Sequence, residues 1–143
     1  MSNQIKAVIF DMDGILIDSE PAWQLAEQTV LNSLGLNLSL EEVEQTTGLR
    51  IDHVVSYWHQ RFPWPNYDNT ATANTIVNEV VSQIKANGEP MRGVIESLET
   101  CKRLGLKIGL ATSSSSLIIE AVLHKLAIGH YFDAIESAEN LDY

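Results

Sequence analysis

The sequence predicts an α/β fold in which a parallel sheet forms the core and a helical domain is inserted after the first strand. Three observations lead to this prediction: a short apolar strand near the N-terminus, a long stretch of helical pattern after it, and alternating strands and helices from residue 91 onward. Alternation of strands and helices is typical of βαβ units, whose strands pair in parallel.

The first two elements follow from the pattern of apolar residues. Residues 5–10, with the sequence IKAVIF, are predicted to form a buried strand because the run is short, apolar and followed by turn residues. A helix is predicted next, and Gly35 is expected to end it. The apolar residues of this helix recur at helical spacing, namely Trp23, Ala26, Val30 and Leu34.

Three further helices complete the predicted insert. Ser39 and Glu42 have the spacing of a capping box at the start of a short helix. Residues 50–62 are predicted to form the next helix, which the prolines that follow it end. A last helix is expected to stop before Gly88. Its apolar positions are Ile76, Val77, Val80, Val81 and Ile84.

The remainder of the chain alternates between helix and strand. Residues 93–105 are predicted to form an amphipathic helix, residues 106–111 a strand, residues 117–128 a helix, and residues 132–138 a further strand. Gly129 is expected to end the second of these helices.

These elements divide the 143 residues into two predicted domains. The sheet core comprises residues 1–17 and 89–143, and the helical insert comprises residues 18–88. A composition of 45% hydrophobic and 20% charged residues is ordinary for globular domains that bury a core.

Charge and cysteine content bear on the class of protein. The net charge of −10, from 9 basic and 19 acidic residues, is opposite to the basic surface that binds nucleic acid. Cys101 is the single cysteine, so no internal disulfide forms. The sequence carries no signal-peptide pattern and no apolar run of about 18 residues. We therefore expect a cytoplasmic protein without a membrane or nucleic-acid partner.

Two predicted strands end in polar residues that suit phosphate chemistry. Asp11, Asp13 and Gly14 follow the first strand, and Thr112 and Ser113 follow the second. Residues i and i+2 of an extended backbone point to the same side, so both carboxylates can address one bound group. Ligands of open α/β sheets bind beyond the carboxyl ends of the strands, where hydroxyls and free N–H groups hold anions. We therefore predict phosphoryl chemistry. A divalent cation is expected at this site, because it would offset the repulsion between the carboxylates and an anionic substrate.

Two motifs resemble those of a known family. FDMDGILIDSE (residues 10–20) resembles the first motif of the haloacid dehalogenase-like hydrolases, and KIGLATSS (residues 107–114) resembles the second. The insert is similar to the helical cap domain of the subgroup that contains sugar-phosphate phosphatases and β-phosphoglucomutases. DSEPAW, TTGLRIDHVVSYW and SAENL are most similar to bacterial 2-deoxyglucose-6-phosphatase-type hexitol and sugar phosphatases. The resemblance implies a Rossmann-like core, of which this chain carries the first three strands.

The resemblance also implies roles for the residues of both motifs. Asp11 is expected to be the nucleophile that forms an aspartyl-phosphate, and Asp13 the general acid and base. The Asp11 carboxylate and the Asp13 backbone carbonyl are expected to bind Mg²⁺. Thr112 and the Ser113 amide are expected to bind the phosphoryl oxygens. The implied enzyme is a Mg²⁺-dependent phosphoric monoester hydrolase that acts on a sugar phosphate.

The cap domain is expected to choose the substrate. Gly48 and Arg50 lie in a segment that resembles the specificity loop of the family, and Trp23 near the start of the insert is a candidate to flank the sugar. Two structural alternatives stay open: Arg50 as a solvated charge or cap salt bridge, and Trp23 as part of the cap core.

The chain departs from the family at its C-terminal end. Family members carry a lysine after the third strand and an acidic pair after the fourth, and the sequence stops at Tyr143 before either. We therefore expect an N-terminal part of a longer phosphatase, which is inactive or impaired as a 143-residue chain. Strand 5–10 is then expected to lie at an exposed edge, where the chain self-associates or pairs with a complementing C-terminal fragment.

Two other functions stay open. A phosphomutase of the β-phosphoglucomutase type would use the same scaffold, although the mutases that the chain resembles usually carry a histidine where it has Trp23. The 143-residue chain could instead be a non-catalytic fragment or assembly unit. Dehalogenase and phosphonatase relatives lack the second aspartate, so Asp13 argues against both.

Overall fold

The computed structural model describes residues 4–140, and of Asn140 the backbone alone. This part of the chain forms two compact units. One unit comprises the residues up to Glu20 and from Ile84 onward, and the other is the helical unit Pro21–Gln83. The SAENL motif and the predicted core domain extend at their ends beyond the described residues.

Three parallel strands form the sheet of the first unit. They are β1 (Ala7–Phe10), β2 (Lys107–Thr112) and β3 (Ala134–Ser137), in the order β1-β2-β3. In their register, Thr112 lies opposite Ser137. The predicted α/β class with a parallel sheet is confirmed, and the carboxyl ends of all three strands lie at one edge.

Six α-helices accompany the sheet in the described part of the chain. They are α1 (Glu20–Ser33), α2 (Leu40–Val43), α3 (Ile51–Arg61), α4 (Asn69–Asn87), α5 (Val94–Arg103) and α6 (Ser116–Leu126). Every helix that the sequence predicts is present. None of these helices is both long enough and apolar enough to cross a membrane.

The core of the first unit consists of side chains from β2, α5, α6, the segment just after α6 and the loop after β1. Their apolar residues sit on the inward faces because strand and helix periodicity place them there. The largest of these buried side chains are Met12, Leu16, Ile17, Leu98, Ile108, Leu110, Ile118 and Ile128. Cys101 lies buried on α5, as its helical spacing predicts.

The capping box of the helical unit is confirmed. The Glu42 N–H donates to Ser39 Oγ at 3.1 Å, and the Ser39 N–H donates to Glu42 Oε1 at 3.2 Å. Both bonds satisfy donors that the first turn of α2 would otherwise leave without partners. This reciprocal pair begins the helix at the predicted residue.

The prediction of a buried first strand is wrong for this chain. Ile9 is 73% exposed, and alternate residues of β1 are exposed along its length. The cause is the strand order, because within the described residues β1 pairs with β2 on one side and lies at the edge of the sheet on the other. The sequence-based expectation that this strand forms an edge is therefore met.

The predicted end of α6 at Gly129 is also wrong. The last residue of the helix is Leu126, and Ala127 at the C-cap adopts a left-handed φ of 55°. The Ala127 N–H donates to His124 O, and the Ile128 N–H donates to Leu123 O, which is the pattern of a Schellman motif. Ile128, the residue after Ala127, is fully buried.

Candidate active site

A tight loop after β1 presents the two aspartates. Met12 between them is fully buried, whereas Asp11 is exposed and Asp13 is half-buried. Gly14 adopts a φ of 79°, which favours glycine, and its N–H donates to Ile17 O at 2.8 Å. The buried Met12 side chain therefore anchors a loop from which both carboxylates project.

The side chain of Asp13 contacts hydroxyls from two parts of the fold. Ser19 Oγ donates to Asp13 Oδ1 at 2.6 Å, and Ser114 Oγ donates to Asp13 Oδ2 at 2.7 Å. The hydroxyl of buried Thr112 lies 3.5 Å from Oδ2, at the limit of a weak hydrogen bond. Both carboxylate oxygens thus have partners, and the orientation of Asp13 is fixed.

Hydrogen bonds also join the turn after β2 to the end of β3. The Ser114 N–H donates to Thr112 Oγ1 at 3.1 Å, and Ser137 Oγ donates to Ser114 O at 2.6 Å. Glu139 Oε2 accepts from both the N–H and the hydroxyl of Ser116, at 3.1 and 2.9 Å, in the first turn of α6. Hydrogen bonds therefore join the carboxyl ends of all three strands.

The structure brings together some of the predicted site residues and adds others. Asp13 and Thr112 come together, and Asp11 stands two residues from Asp13 on the same loop. Ser113 is exposed, and it is the neighbouring Ser114 whose hydroxyl bonds Asp13. Ser114 could not be selected from the sequence, because four consecutive serines look alike and nothing marks the one that faces Asp13. Ser19 could not be selected either, because nothing in the sequence shows that its hydroxyl turns back to Asp13.

The predicted specificity residues belong to the helical unit. Trp23 is half-buried on α1, and Gly48 adopts a φ of 87° in the loop before α3. Arg50 donates from Nε and Nη2 to the two carboxylate oxygens of Asp52, at 2.6 and 2.7 Å. This bond lowers the pKa of the Asp52 carboxyl to about 2. Arg50 therefore takes part in a cap salt bridge, which the sequence left open.

Comparison with known proteins identifies the family. A model of the haloacid dehalogenase-like hydrolases matches residues 8–142. The chain belongs to this family. Within the haloacid dehalogenase-like hydrolases, it is 42% identical over 141 residues to hexitol phosphatase B of Escherichia coli K12. It is 30% identical to the fructose-1-phosphate phosphatase YqaB of the same organism, over 146 residues.

The chain spans only part of these relatives. The alignment covers 98% of this chain and 64% of hexitol phosphatase B, and 100% of this chain and 74% of YqaB. The activity of the whole relative therefore does not pass to this chain by similarity alone.

Solved structures of the family share the fold. CbbY from Rhodobacter sphaeroides in complex with phosphate superposes with a TM-score of 0.82 at 21% identity, covering 98% of this chain and 66% of that one. The β-phosphoglucomutase of Clostridium difficile superposes with a TM-score of 0.75 at 23% identity, covering 98% and 65%. At these identities the likeness establishes the haloacid dehalogenase-like fold.

Proposed function

We propose that this chain is the nucleophile-bearing part of a Mg²⁺-dependent sugar-phosphate phosphatase that works through an aspartyl-phosphate. The observation that carries the proposal is the bonding of Asp13 to the serine turn after β2. Asp13 stands two positions after Asp11 on the loop that follows β1. Two of the family's relatives, hexitol phosphatase B and fructose-1-phosphate phosphatase YqaB, bear the names of sugar- or polyol-phosphate phosphatases.

The first half of the proposed reaction transfers the phosphoryl group to the protein. An oxygen of the Asp11 carboxylate attacks phosphorus, and the bond from phosphorus to the sugar oxygen breaks. Asp13, in its protonated form, gives its proton to that leaving oxygen. The products of this half are the free sugar or polyol, an Asp11 acyl phosphate and an ionised Asp13.

The second half regenerates the protein. Asp13 takes a proton from a water molecule while that water attacks the phosphorus of the acyl phosphate. The bond from phosphorus to Asp11 breaks, and inorganic phosphate and the ionised Asp11 carboxylate result. Thr112 and the Ser113 amide would hold the phosphoryl oxygens at the N-terminal side of α6 in both halves.

The donor atoms near Asp11 suit Mg²⁺. Within residues 4–140, no group of three histidine, cysteine or acidic side chains forms a ligand cluster. Asp11 supplies an exposed carboxylate, and the Asp13 carbonyl is the second expected protein donor. One carboxylate and one carbonyl fit Mg²⁺, which keeps several waters and takes further oxygens from substrate phosphates. When bound, the ion would neutralise charge on the phosphoryl oxygens.

A panel of sugar monophosphates tests this proposal. Phosphate release should be measured for the 143-residue chain and for a form extended past Tyr143 to the length of its relatives. We expect the extended form to release phosphate in the presence of Mg²⁺ and the shorter chain to be impaired. Asp11→Asn in the extended form should abolish turnover, and retention of more than a few per cent would remove Asp11 from the nucleophilic role.

The mutase alternative predicts a different product. A phosphomutase would return the phosphoryl group to the sugar and release little phosphate. Trp23 occupies the position where the mutases that the chain resembles carry histidine, which favours the phosphatase. Accumulation of an isomeric sugar phosphate in the same assay would favour the mutase instead.

A further inference from the structure

Glu27 is a buried carboxyl group that the reaction above does not use. It lies on α1 in the helical unit and is 7% exposed. Burial raises the pKa of this carboxyl to about 7, while a hydrogen bond from Thr46 acts in the opposite direction. No charged group contributes to this shift in pKa. Buried carboxyl groups in folded proteins are normally paired or well hydrogen-bonded, so this one calls for an explanation.

The hydrogen bonding of Glu27 is incomplete. Among residues 4–140, the bond from Thr46 Oγ1 to Glu27 Oε2 is its hydrogen bond, and it is long, at 3.5 Å. The same hydroxyl is 3.0 Å from Val43 O. A hydroxyl has one proton, and the shorter bond to Val43 is the better use of it. Glu27 therefore retains hydrogen-bonding capacity that Thr46 does not fill.

The position of Glu27 links the two segments proposed to contact the sugar. Trp23 stands four residues earlier on α1, and side chains at this spacing lie on the same face of a helix. Thr46, which bonds Glu27, precedes Gly48 and Arg50 by two and four residues in the sequence. Within the helical unit, the carboxyl thus bonds the segment that leads to Gly48 and Arg50, and it shares a face of α1 with Trp23.

We propose that Glu27 is a specificity-determining residue that binds hydroxyl groups of a sugar or polyol phosphate. The inference rests on the proposed phosphatase function and extends it to the part of the substrate that does not react. A carboxyl group with open acceptor positions suits the neighbouring hydroxyls of a polyol, which can donate to its two oxygens. An aryl phosphate offers no such hydroxyl. A site with buried polar groups discriminates strongly against an analogue that leaves those groups without partners.

Steady-state kinetics of the extended form test the inference with two substrates, a hexitol monophosphate and p-nitrophenyl phosphate. Glu27→Leu removes both oxygens in a side chain of similar size, and Glu41→Gln, at an exposed position of α2, is the matched control. We expect Glu27→Leu to lower kcat/KM for the hexitol phosphate by about 10- to 100-fold, because the substrate hydroxyls would lose their hydrogen-bond partner in a buried site. For Glu27→Leu, kcat/KM for p-nitrophenyl phosphate should change by less than about twofold. For the control Glu41→Gln, kcat/KM for both substrates should likewise change by less than about twofold.

A stability measurement separates substrate binding from a structural role. Because Glu27→Leu replaces a buried carboxyl with an apolar group, it should leave the unfolding midpoint unchanged or raise it while activity toward the hexitol phosphate falls. Equal losses on both substrates, or a lower midpoint that accounts for the loss, would overturn the inference. If the unsubstituted protein hydrolyses hexitol phosphates and Glu27→Leu leaves the kinetics unchanged, the inference about Glu27 is overturned and the proposed phosphatase function is not. Failure of the unsubstituted protein to hydrolyse any sugar phosphate would overturn the proposed function as well.

Discussion

The Ser114 hydroxyl donates a 2.7 Å hydrogen bond to Oδ2 of Asp13, although 101 positions separate the two residues in the sequence. Because the bond crosses from the loop after β1 to the turn after β2, it orients the proposed acid and base relative to the proposed phosphate-binding turn. Catalytic groups lose efficiency when their orientation is relaxed. The Ser114–Asp13 bond, which the fold creates, therefore sets the orientation of the proposed acid and base.

Ser114→Ala should lower kcat without preventing folding. Removing one neutral hydroxyl donor costs about 0.5–1.5 kcal/mol, which corresponds to a roughly 2- to 10-fold loss in rate if the bond is needed in the transition state. Kinetics of the extended form on a sugar phosphate measure the effect. Ser115→Ala is the matched control, since the buried Ser115 hydroxyl has no hydrogen-bond partner among the described residues. Equal rates for both variants would contradict a positioning role for Ser114.

The sequence predicted the frame of this site but not its full set of contacts. Asp11, Asp13 and Thr112 could be chosen because each stands at the end of an apolar run whose periodicity indicates a strand. Ser114 and Ser19 could not, because the hydroxyl that faces Asp13 is decided by the φ and ψ angles of the two turns. Strand order likewise lies outside local patterning, which is why the apolar pattern by itself predicts a buried β1.

The same limit explains why local sequence patterning does not predict the burial of Glu27. Glu27 falls within the helix that the apolar residues around it predict, and a charged residue on a surface helix is ordinarily solvated. Burial of the carboxyl depends on the segment around Thr46, which is distant in the sequence. Ala127 is a third case, since glycine is the expected residue for a left-handed helix end and alanine takes that position here.

Arg50→Ala should change the order in which sugar phosphates are preferred. We expect little effect on p-nitrophenyl phosphate, since this small substrate offers no sugar for the cap to recognise. Kinetics of the extended form on the panel of sugar monophosphates measure the order. Arg61→Ala, at the other end of α3, is the matched control. Equal losses on both kinds of substrate would mean that the Arg50–Asp52 pair is a structural contact of the cap.

The stability of the helical unit should fall as the pH rises through the range in which Glu27 ionises. Burial raises the pKa of Glu27 from 4.5 to about 7 in the folded state, so unfolding at intermediate pH releases a proton. The destabilisation due to Glu27 is absent below about pH 4.5 and grows as the pH rises. Above about pH 7 it levels off at about 3 kcal/mol of the free energy of unfolding.

Denaturant unfolding at about pH 5 and about pH 8 measures this dependence. Glu27→Gln should lose less stability between the two pH values than the unsubstituted protein, because its side chain does not ionise. Glu41→Gln should keep the original dependence. If Glu27→Gln loses as much stability as the unsubstituted protein, the carboxyl is not buried in the way described.

The exposed edge of β1 predicts the behaviour of the 143-residue chain in solution. Among residues 4–140, no strand pairs with the outer edge of β1, and its backbone groups there, together with the exposed Ile5 and Ile9 side chains, favour pairing with another strand. We therefore expect the chain to self-associate, to pair with a complementing C-terminal fragment, or to be only partly folded. Ile9→Lys should reduce self-association in sedimentation velocity, and Leu104→Lys, outside the sheet, should not.

A well-behaved monomer would refute this prediction. The decisive findings would be a single cooperative thermal transition together with slow hydrogen exchange of the amides in β1. A single thermal transition would indicate a uniquely folded chain. Slow hydrogen exchange would indicate that the edge of β1 is protected without a partner strand.

In the proposed mechanism, Asp11 takes the phosphoryl group and Asp13 then activates water. Asp13→Asn in the extended form should still transfer the phosphoryl group from p-nitrophenyl phosphate, because this leaving group departs without a proton. It should then stall, since the base for hydrolysis is missing. Mass spectrometry after an acid quench should therefore detect a phosphoryl adduct on Asp11 in the Asp13→Asn protein and none in the Asp11→Asn protein. No adduct in the Asp13→Asn protein, or an adduct on another residue such as Ser114, would contradict the account.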